Sequence, residues 1–393
     1  MRLLVIGGRL QGVEAVYLAK KAGFWVRVVD RSRPVPAMEM ADEFLQLDVT
    51  PDGELARAAA GIDLILPAME NLDALRSLTA QAQVLDLPLA FDLSAYEVSC
   101  SKLASDRLFA DHKIPAPIPW PACGYPAVVK PSEGSGSEGV RLLKDDKARR
   151  THFGGTFPPP GMVVQEHLEG PSFSVEVIGS PGNYQVLPTT ELEMDAGHDC
   201  KRVVVPVSLS SKMTTDLAAI GRRCAEVLEL TGIMDVEVIL HAGRFKVLEV
   251  DARLPSQTPI SVYHASGINE VALLASLFRN SGFSREACEG RGRAVVFEHI
   301  AVSEGELTIR GEHIMGVDQP LRWEMNFFGA DEALTTYTPE AKHWVATLII
   351  TGNDRDDAWD NHQQVMANLQ QAFGLTRMAD PTPEGPWHSG DAP

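Results

Sequence analysis

Three acidic side chains and one arginine stand at spacings that could do chemistry. In VLEVDARLPSQTP, running from Val247 to Pro259, Glu249, Asp251 and Arg253 alternate with Val250 and Ala252. Residues two apart in a strand project to one face, so the alternation predicts a strand end that carries two carboxylates and a guanidinium side by side. Adjacent carboxylates repel unless a cation lies between them or water solvates them. In an enzyme that handles phosphate, that cation is usually magnesium held by hard oxygen ligands. A solvated strand end with one local ion pair accounts for the same segment about as well. Glu237 tips the balance. It lies in DVEVIL, twelve residues before Glu249, and the intervening His241-Ala242-Gly243-Arg244 reads as a hairpin turn. An antiparallel pair across that turn brings a third carboxylate to the same face.

A second candidate site lies upstream in AVVKPSEGSGSEGV, where an apolar strand ends at Lys130. Gly134, Gly136 and Gly139 then interleave with Ser132, Ser135 and Ser137. Glycines let backbone N–H groups approach phosphate oxygens, serines add hydroxyl donors, and a strand-anchored lysine supplies a point charge. The segment is not a G-x-x-x-x-G-K-[ST] loop, and a lone Gly/Ser run is more often a linker. The lysine and its strand favour phosphate. A third candidate is GGRLQG near the N-terminus, where Gly7, Gly8 and Gly12 open a helix and Asp30 ends the next strand. That arrangement suggests a nicotinamide-dependent oxidoreductase, but the glycines miss the G-x-G-x-x-G spacing. The loop is read instead as a substrate-side anion site around Gly8, Leu10 and Gln11, with a plain tight turn as the alternative. Ser256, Gln257 and Tyr263, after the acidic strand, could line a substrate pocket or merely cap a turn.

The elements that must hold these groups are legible as patterns. RLLVI, a helical stretch to Gly23 and WVRVVD form a βαβ unit. IDLILP, a helix from Asn71 to about Ala82 and a strand near Pro88 to Phe91 extend it to a doubly wound α/β domain. A helix around Ser101 to Asp111 opens an α+β region of glycine-punctuated strands. It runs through MVVQEHL and SFSVEVIG to a helix at Thr214 to Leu230 and the acidic hairpin. A helix near Asn269 to Arg279, the strand AVVFEHIAV, the strand WVATLIITG and the helix AWDNHQQVMANLQQAF follow. The tail DPTPEGPWHSGDAP reads as disordered.

Composition bounds the rest. The 393 residues suffice for two or three domains, and 45% hydrophobic content is that of an ordinary globular chain. Cys100, Cys123, Cys200, Cys224 and Cys288 are odd in number and scattered, which argues against a disulfide framework or zinc site and for a reducing compartment. The start lacks a secretory h-region and no stretch reaches a membrane span, so the cytoplasm is expected. A formal charge of -18 makes nucleic acid an unfavourable partner.

Taken in order, these segments resemble the ATP-grasp ligases, whose pattern is a lysine-bearing strand, a glycine-rich loop, a hinge for adenine and an acidic hairpin for magnesium. The resemblance implies a Rossmann-like domain over residues 1–97 and an ATP-grasp domain over 98–285 with a mobile lid at about 112–168. A C-terminal α+β region at 286–380 and a disordered 381–393 complete the expected division. It implies that Lys102 and Lys130 contact the nucleotide and that 133–139, with Ser135, Gly136 and Ser137, closes over its phosphates. Glu166 would take the adenine amino group, with backbone contacts from His167 and Leu168, and Lys201 would touch phosphate. Glu237, Glu249 and Asp251 would hold Mg2+, two ions being expected with ATP. Arg253 would steady the carboxylate or acyl phosphate, so that Arg253, Lys201 and Lys130 carry the catalysis. Two positions depart from the pattern. Ser172 stands where many relatives have a ribose-binding glutamate, leaving Glu169 as a substitute, and Asp251 replaces the commoner asparagine. GGRLQGVEAVYLAKKAG and EVDARLPSQTP are most similar to the pyrrolysine-pathway ligases. Those enzymes join (3R)-3-methyl-D-ornithine to the ε-amine of L-lysine. Other ATP-grasp amino-acid ligases or carboxylases remain the nearest alternative. Small amino-acid substrates and a homodimer are implied, and His264 or Asp251 are candidate bases for the attacking amine.

Overall fold

The computed structural model of the chain describes residues 1–134, 139–279, 292–316 and 319–383. Its N-terminal layer is built from β1 (Arg2–Ile6), α1 (Leu10–Lys21), β2 (Trp25–Asp30), β3 (Glu43–Gln46), α2 (Glu54–Ala58), β4 (Leu64–Pro67) and α3 (Leu72–Val84). The strands form a parallel sheet in the order β3-β2-β1-β4. Helices cover both faces of this sheet, which is why RLLVI and LILP read as unbroken apolar runs. The expected strand near Pro88 shrinks to one bridge, Ile65 to Leu89. The glycines after β1 serve close packing. A Cβ at Gly12 would lie 2.3 Å from the Gly7 carbonyl oxygen, and one at Gly7 would lie 2.3 Å from that of Ala68.

α4 (Leu93–Ser99) and α5 (Lys102–His112) lead into a small antiparallel sheet. It is made of β5 (Ala127–Pro131), β6 (Arg141–Leu143) and β7 (Met162–Glu166), in the order β6-β5-β7, with α6 (Asp146–His152) beside β6. Ala127, Val129, Leu143 and Val164 give this unit its own core, joined by Trp120, Tyr125 and Phe157.

The remaining strands make one twelve-stranded sheet. β8 (Ser172–Ser180), β9 (Asn183–Val186), β10 (Thr190–Met194) and β11 (Cys200–Val205) precede α7 (Ser211–Val227), and β12 (Gly232–His241) and β13 (Arg244–Asp251) form the acidic hairpin. After α8 (Thr258–Ser266) and α9 (Glu270–Phe278) come β14 (Ala294–Ser303), β15 (Glu306–Ile309), β16 (Arg322–Phe327), β17 (Ala330–Thr335) and β18 (His343–Gly352), then α10 (Arg355–Phe373) and β19 (Arg377–Ala379). The main path runs β13-β12-β8-β10-β11-β14-β18-β17-β16. The C-terminal strands thus extend the sheet that bears the hairpin, through the β11–β14 pair, instead of forming a separate one. On one face Val175, Val177, Val236 and Val250 pack with Leu217 and Cys224 of α7; on the other Ile178 and Ile233 pack with Leu274 and Ala275 of α9. No helix among the described residues is long and apolar enough to cross a membrane. Cys100, Cys123, Cys200 and Cys224 are free thiols, and Cys288 lies outside the described residues.

Candidate active site

The hairpin turn sets the site. Ala242 and Gly243 have φ of 48° and 76°, the left-handed pair that a two-residue turn between twisted strands needs, and His241 pairs with Arg244. A regular ladder from that turn would set Glu237 opposite Leu248 and send Glu249 to the apolar face. A bulge after Val238 prevents this. Val238 pairs with Val247, but Glu237 pairs with Glu249, Val236 with Val250 and Asp235 with Asp251. One extra residue, Leu248, therefore re-aims the strand end. The neighbouring β8 continues the grid, because Asp235 pairs with Glu176 and Glu237 with Ser174. Two rows result on one face: Glu176, Asp235 and Asp251, then Ser174, Glu237 and Glu249. The common face expected for Glu237, Glu249 and Asp251 is present. Arg253 lies past the strand, which ends at Asp251. A turn closed by the Arg253 amide on the Asp251 carbonyl (2.9 Å) brings the guanidinium back.

Two lysines approach this face from the other units. Ser101 caps α5, and Lys102, its first residue, places Nζ 2.6 Å from Glu249 Oε1 and 2.7 Å from the Gly134 carbonyl. Lys130 is buried on β5 with Nζ 3.5 Å from the carbonyl of the bulged Leu248. Burial draws the Lys130 ammonium below its usual range, with Glu249 opposing the shift. Among the acids, burial raises Asp251 to about 6 against the pull of Arg253. Loss of solvent contact, with Asp235, Glu249 and Asp251 alongside, holds Glu237 well above the carboxylate range. Glu249 is drawn to Lys102 and Asp251 to Arg253, so among the described residues no three acidic or imidazole side chains close on one point. An all-carboxylate set crowded enough to resist ionisation is nonetheless the chemistry that a hard divalent cation relieves. These residues fit Mg2+.

Arg253 links the hairpin to the N-terminal layer. Nη2 lies 2.6 Å from Glu70 Oε1 and 3.1 Å from Asp251 Oδ2, whereas the buried Nε has no hydrogen-bond partner among the described residues. Gln11 donates to the same Glu70 oxygen at 2.8 Å. Nη1 lies 3.4 Å from the Leu254 carbonyl, so Nε–H is the guanidinium donor left without a partner among the described residues.

Other expected positions land elsewhere. Glu166 ends β7 and is gripped by Lys246 Nζ and the Ile118 amide (2.9 Å), which hold it low despite burial, so its carboxylate is engaged within the protein. The adjoining His167 and Glu169 contact one another at 3.7 Å, Glu169 N–H also bonds the His241 ring at 2.9 Å, and Leu168 is buried. Lys201 does not reach the hairpin acids. Its ammonium is taken by the Asp380 carboxylate and the Pro381 carbonyl (3.2 Å), so its placement does not support the expected phosphate contact. The start of the tail expected to lack structure is thereby anchored, and residues from 384 lie outside the described residues. Gly8 offers no free amide for an anion, since its N–H donates to Asp30 Oδ2 at 2.9 Å. Leu10 packs in the shared core. Gln257 has its amide capped by Glu14 of α1 (3.0 Å), while its buried Oε1 is unpaired. Ser256 donates to Glu312 (3.1 Å) and the Tyr263 ring lies 5.9 Å from Lys21 Nζ. Ser172 begins β8, beyond Ser174 on the same face as the acid rows. Ser135, Gly136 and Ser137 lie outside the described residues.

His264 belongs to a different network. Its Nε2 is 2.6 Å from the Tyr17 hydroxyl, which donates to Glu332 at 2.6 Å. Burial pulls its pKa down to about 4, with Glu332 opposing. These contacts give His264 a structural role at the α1–β17 junction. Because the folded value lies below the unfolded one, the unfolded chain binds more protons between about pH 6.5 and 4, and stability falls as pH drops through that window. His264→Gln should flatten part of this acid-side loss in thermal melts, to which the buried His299 and the half-buried His167 also contribute, and leave the pH dependence of kcat unmoved. A shifted kcat profile would restore the base assignment.

Glu70, Glu176, Asp235, Lys246 and Glu270 neighbour the expected positions and were not singled out by sequence. Asp235 and Glu176 carried a signal, the alternation in DVEV and SVEV; the others are brought in by tertiary contact alone.

A lysine-bearing three-stranded flap over an antiparallel sheet with an acidic hairpin defines an ATP-grasp enzyme, and residues 100–257 match the ATP-grasp domain family. Solved structures agree on the fold. The N5-carboxyaminoimidazole ribonucleotide synthetase of Thermotoga maritima superposes with a TM-score of 0.66 at 19% identity, covering 93% of this chain and 98% of that one. The L-amino acid ligase of Bacillus licheniformis gives 0.68 at 16% identity, covering 93% and 97%. Among curated proteins, the 3-methyl-D-ornithine–L-lysine ligase of Methanosarcina mazei is 33% identical over 95% of this chain and 96% of its own length. That of Methanosarcina acetivorans is 34% identical over 95% and 98%. The chain belongs to the 3-methyl-D-ornithine–L-lysine ligase family.

Proposed function

We propose that this ATP-grasp ligase joins (3R)-3-methyl-D-ornithine to the ε-amine of L-lysine in pyrrolysine biosynthesis, through an acyl phosphate, releasing ADP and phosphate. The observation that carries the reading is the single sheet face that Glu237, Glu249 and Asp251 share, with the Arg253 guanidinium turned back onto Asp251. A carboxylate is a poor electrophile; ATP with Mg2+ supplies the phosphoryl group that activates it, and Glu237, Glu249 and Asp251 would hold the metal, two ions being our expectation. The chain's own work is positioning and charge neutralisation. Arg253, whose Nε–H has no partner among the described residues, orients the acid. Lys102 and Lys130 bring positive charge to the phosphate side, and Asp251 is the remaining candidate base for the amine. We take 98–285 as the ATP-grasp unit and 112–168 as a lid that excludes water from the acyl phosphate. A cytoplasmic homodimer completes the proposal.

ADP release measured with D-ornithine-type acids plus L-lysine, with mass spectrometry of the product, tests it. ADP and a dipeptide-like amide should appear only when both amino acids are present. Bicarbonate-dependent ADP release without an amide product would instead mark a carboxylase.

A further inference from the structure

Resting on that reading, we propose that Glu176 and Glu270 seat the side-chain ammonium of the diamino acid whose carboxylate is activated. Glu176 lies on β8 and Glu270 is the first residue of α9, which packs on that strand; each side chain is wholly buried. All four of their carboxylate oxygens lack a hydrogen-bond partner among the described residues. The Thr258 hydroxyl, in the first turn of α8, is directed at Glu176 and has no other partner among the described residues. Other buried acids are met: Glu14 by the Gln257 and Ile260 amides, Asp235 by Ser174, Glu298 by Arg202 and His362. Buried polar groups are rarely left open, and a buried carboxylate without a partner is strongly unfavourable. An ammonium group brings three N–H donors and a positive charge, which two carboxylates and a hydroxyl match in number and sign. The distance suits it as well. Glu176 stands two strands from Asp251 across the paired row, roughly 10 Å at the usual strand spacing. A diamino acid with its carboxylate at Arg253 extends its distal amine in that direction.

With ATP and Mg2+ present, D-ornithine is compared with D-norvaline, the same carbon chain without the side-chain amine, by calorimetry and by KM. The wild-type protein should prefer D-ornithine. Glu176→Gln and Glu270→Gln should each weaken D-ornithine roughly 10-fold or more, as expected for a lost charged hydrogen bond, and leave D-norvaline and ATP unchanged. Equal weakening of both acids, weakening of L-lysine instead, or no binding of D-ornithine to the wild type would overturn the seat. Selective binding of D-ornithine without amide product would leave the seat standing and count against the reaction alone.

Discussion

Glu249→Gln is expected to lower kcat on the order of 10³-fold, the scale seen when a preorganised charge at a reacting centre is removed. The amide keeps the volume and the strand position but cannot bind a metal as an anion, and it releases Lys102, whose Nζ lies 2.6 Å from Glu249 Oε1. Stability should barely move. Glu249 shares its face with Glu237, Asp251 and Asp235, so the repulsion relieved by neutralising it offsets the lost ion pair. Steady-state ADP release beside a thermal melt reads both effects. Turnover within tenfold of wild type would remove Glu249 from the metal site, and a melt lowered by more than a few degrees would turn the variant into a folding defect. Asp251→Asn is the instructive companion, because it creates the residue commoner in related sites. If the negative charge of Asp251 serves only the metal, the asparagine variant retains activity; if Asp251 takes the amine proton, it does not.

The elements around this face were legible because their patterns are local. Alternation in VLEVD and DVEVIL located the hairpin, His241 to Arg244 located its turn, and Asn71 and Ser101 begin helices as caps. The bulge was not legible. Twelve residues separate Glu237 from Glu249, and across a two-residue turn that even spacing puts them on opposite faces unless one strand gains a residue. Nothing in VLEV marks Leu248 as the extra one; its carbonyl faces Lys130 from a different sheet, a contact formed only in the folded chain. The surroundings of Lys201 were hidden for a related reason. Order along the sequence placed it between hinge and hairpin, but a register shift opposite Glu193 and Met194 lies there in the β10–β11 ladder, and Asp380, distant in sequence, supplies its partner. Gly8 shows the limit of a glycine motif. The turn can serve an anion or close packing, and the Asp30 carboxylate on its amide decides for packing.

Arg253→Lys is the second change with a large expected effect, a fall in kcat/KM of roughly 10² to 10³-fold, although charge is conserved. A lysine ammonium is a point donor and cannot present the planar fork that meets Glu70 and Asp251 on one edge while leaving Nε–H for a ligand. The loss should fall on the amino acid whose carboxylate is activated, raising its KM and lowering kcat, with ATP affinity little changed because Lys102 and Lys130 remain. Methionine at this position would confuse the result. It removes the guanidinium from Asp251 and one partner from the part-exposed Glu70, which keeps Gln11, so a loss of stability would mix with the loss of function. Glu70→Gln separates the roles of the arginine. With Glu70 neutral, Gln11 keeps a partner and Arg253 keeps Asp251, so the fold should hold. If Glu70 aligns the guanidinium for the incoming carboxylate, the double variant loses less than the sum of the two single ones, because the second change removes a contact already lost. Additive losses would mean that Glu70 and Arg253 act separately and that the N-terminal layer only covers the site.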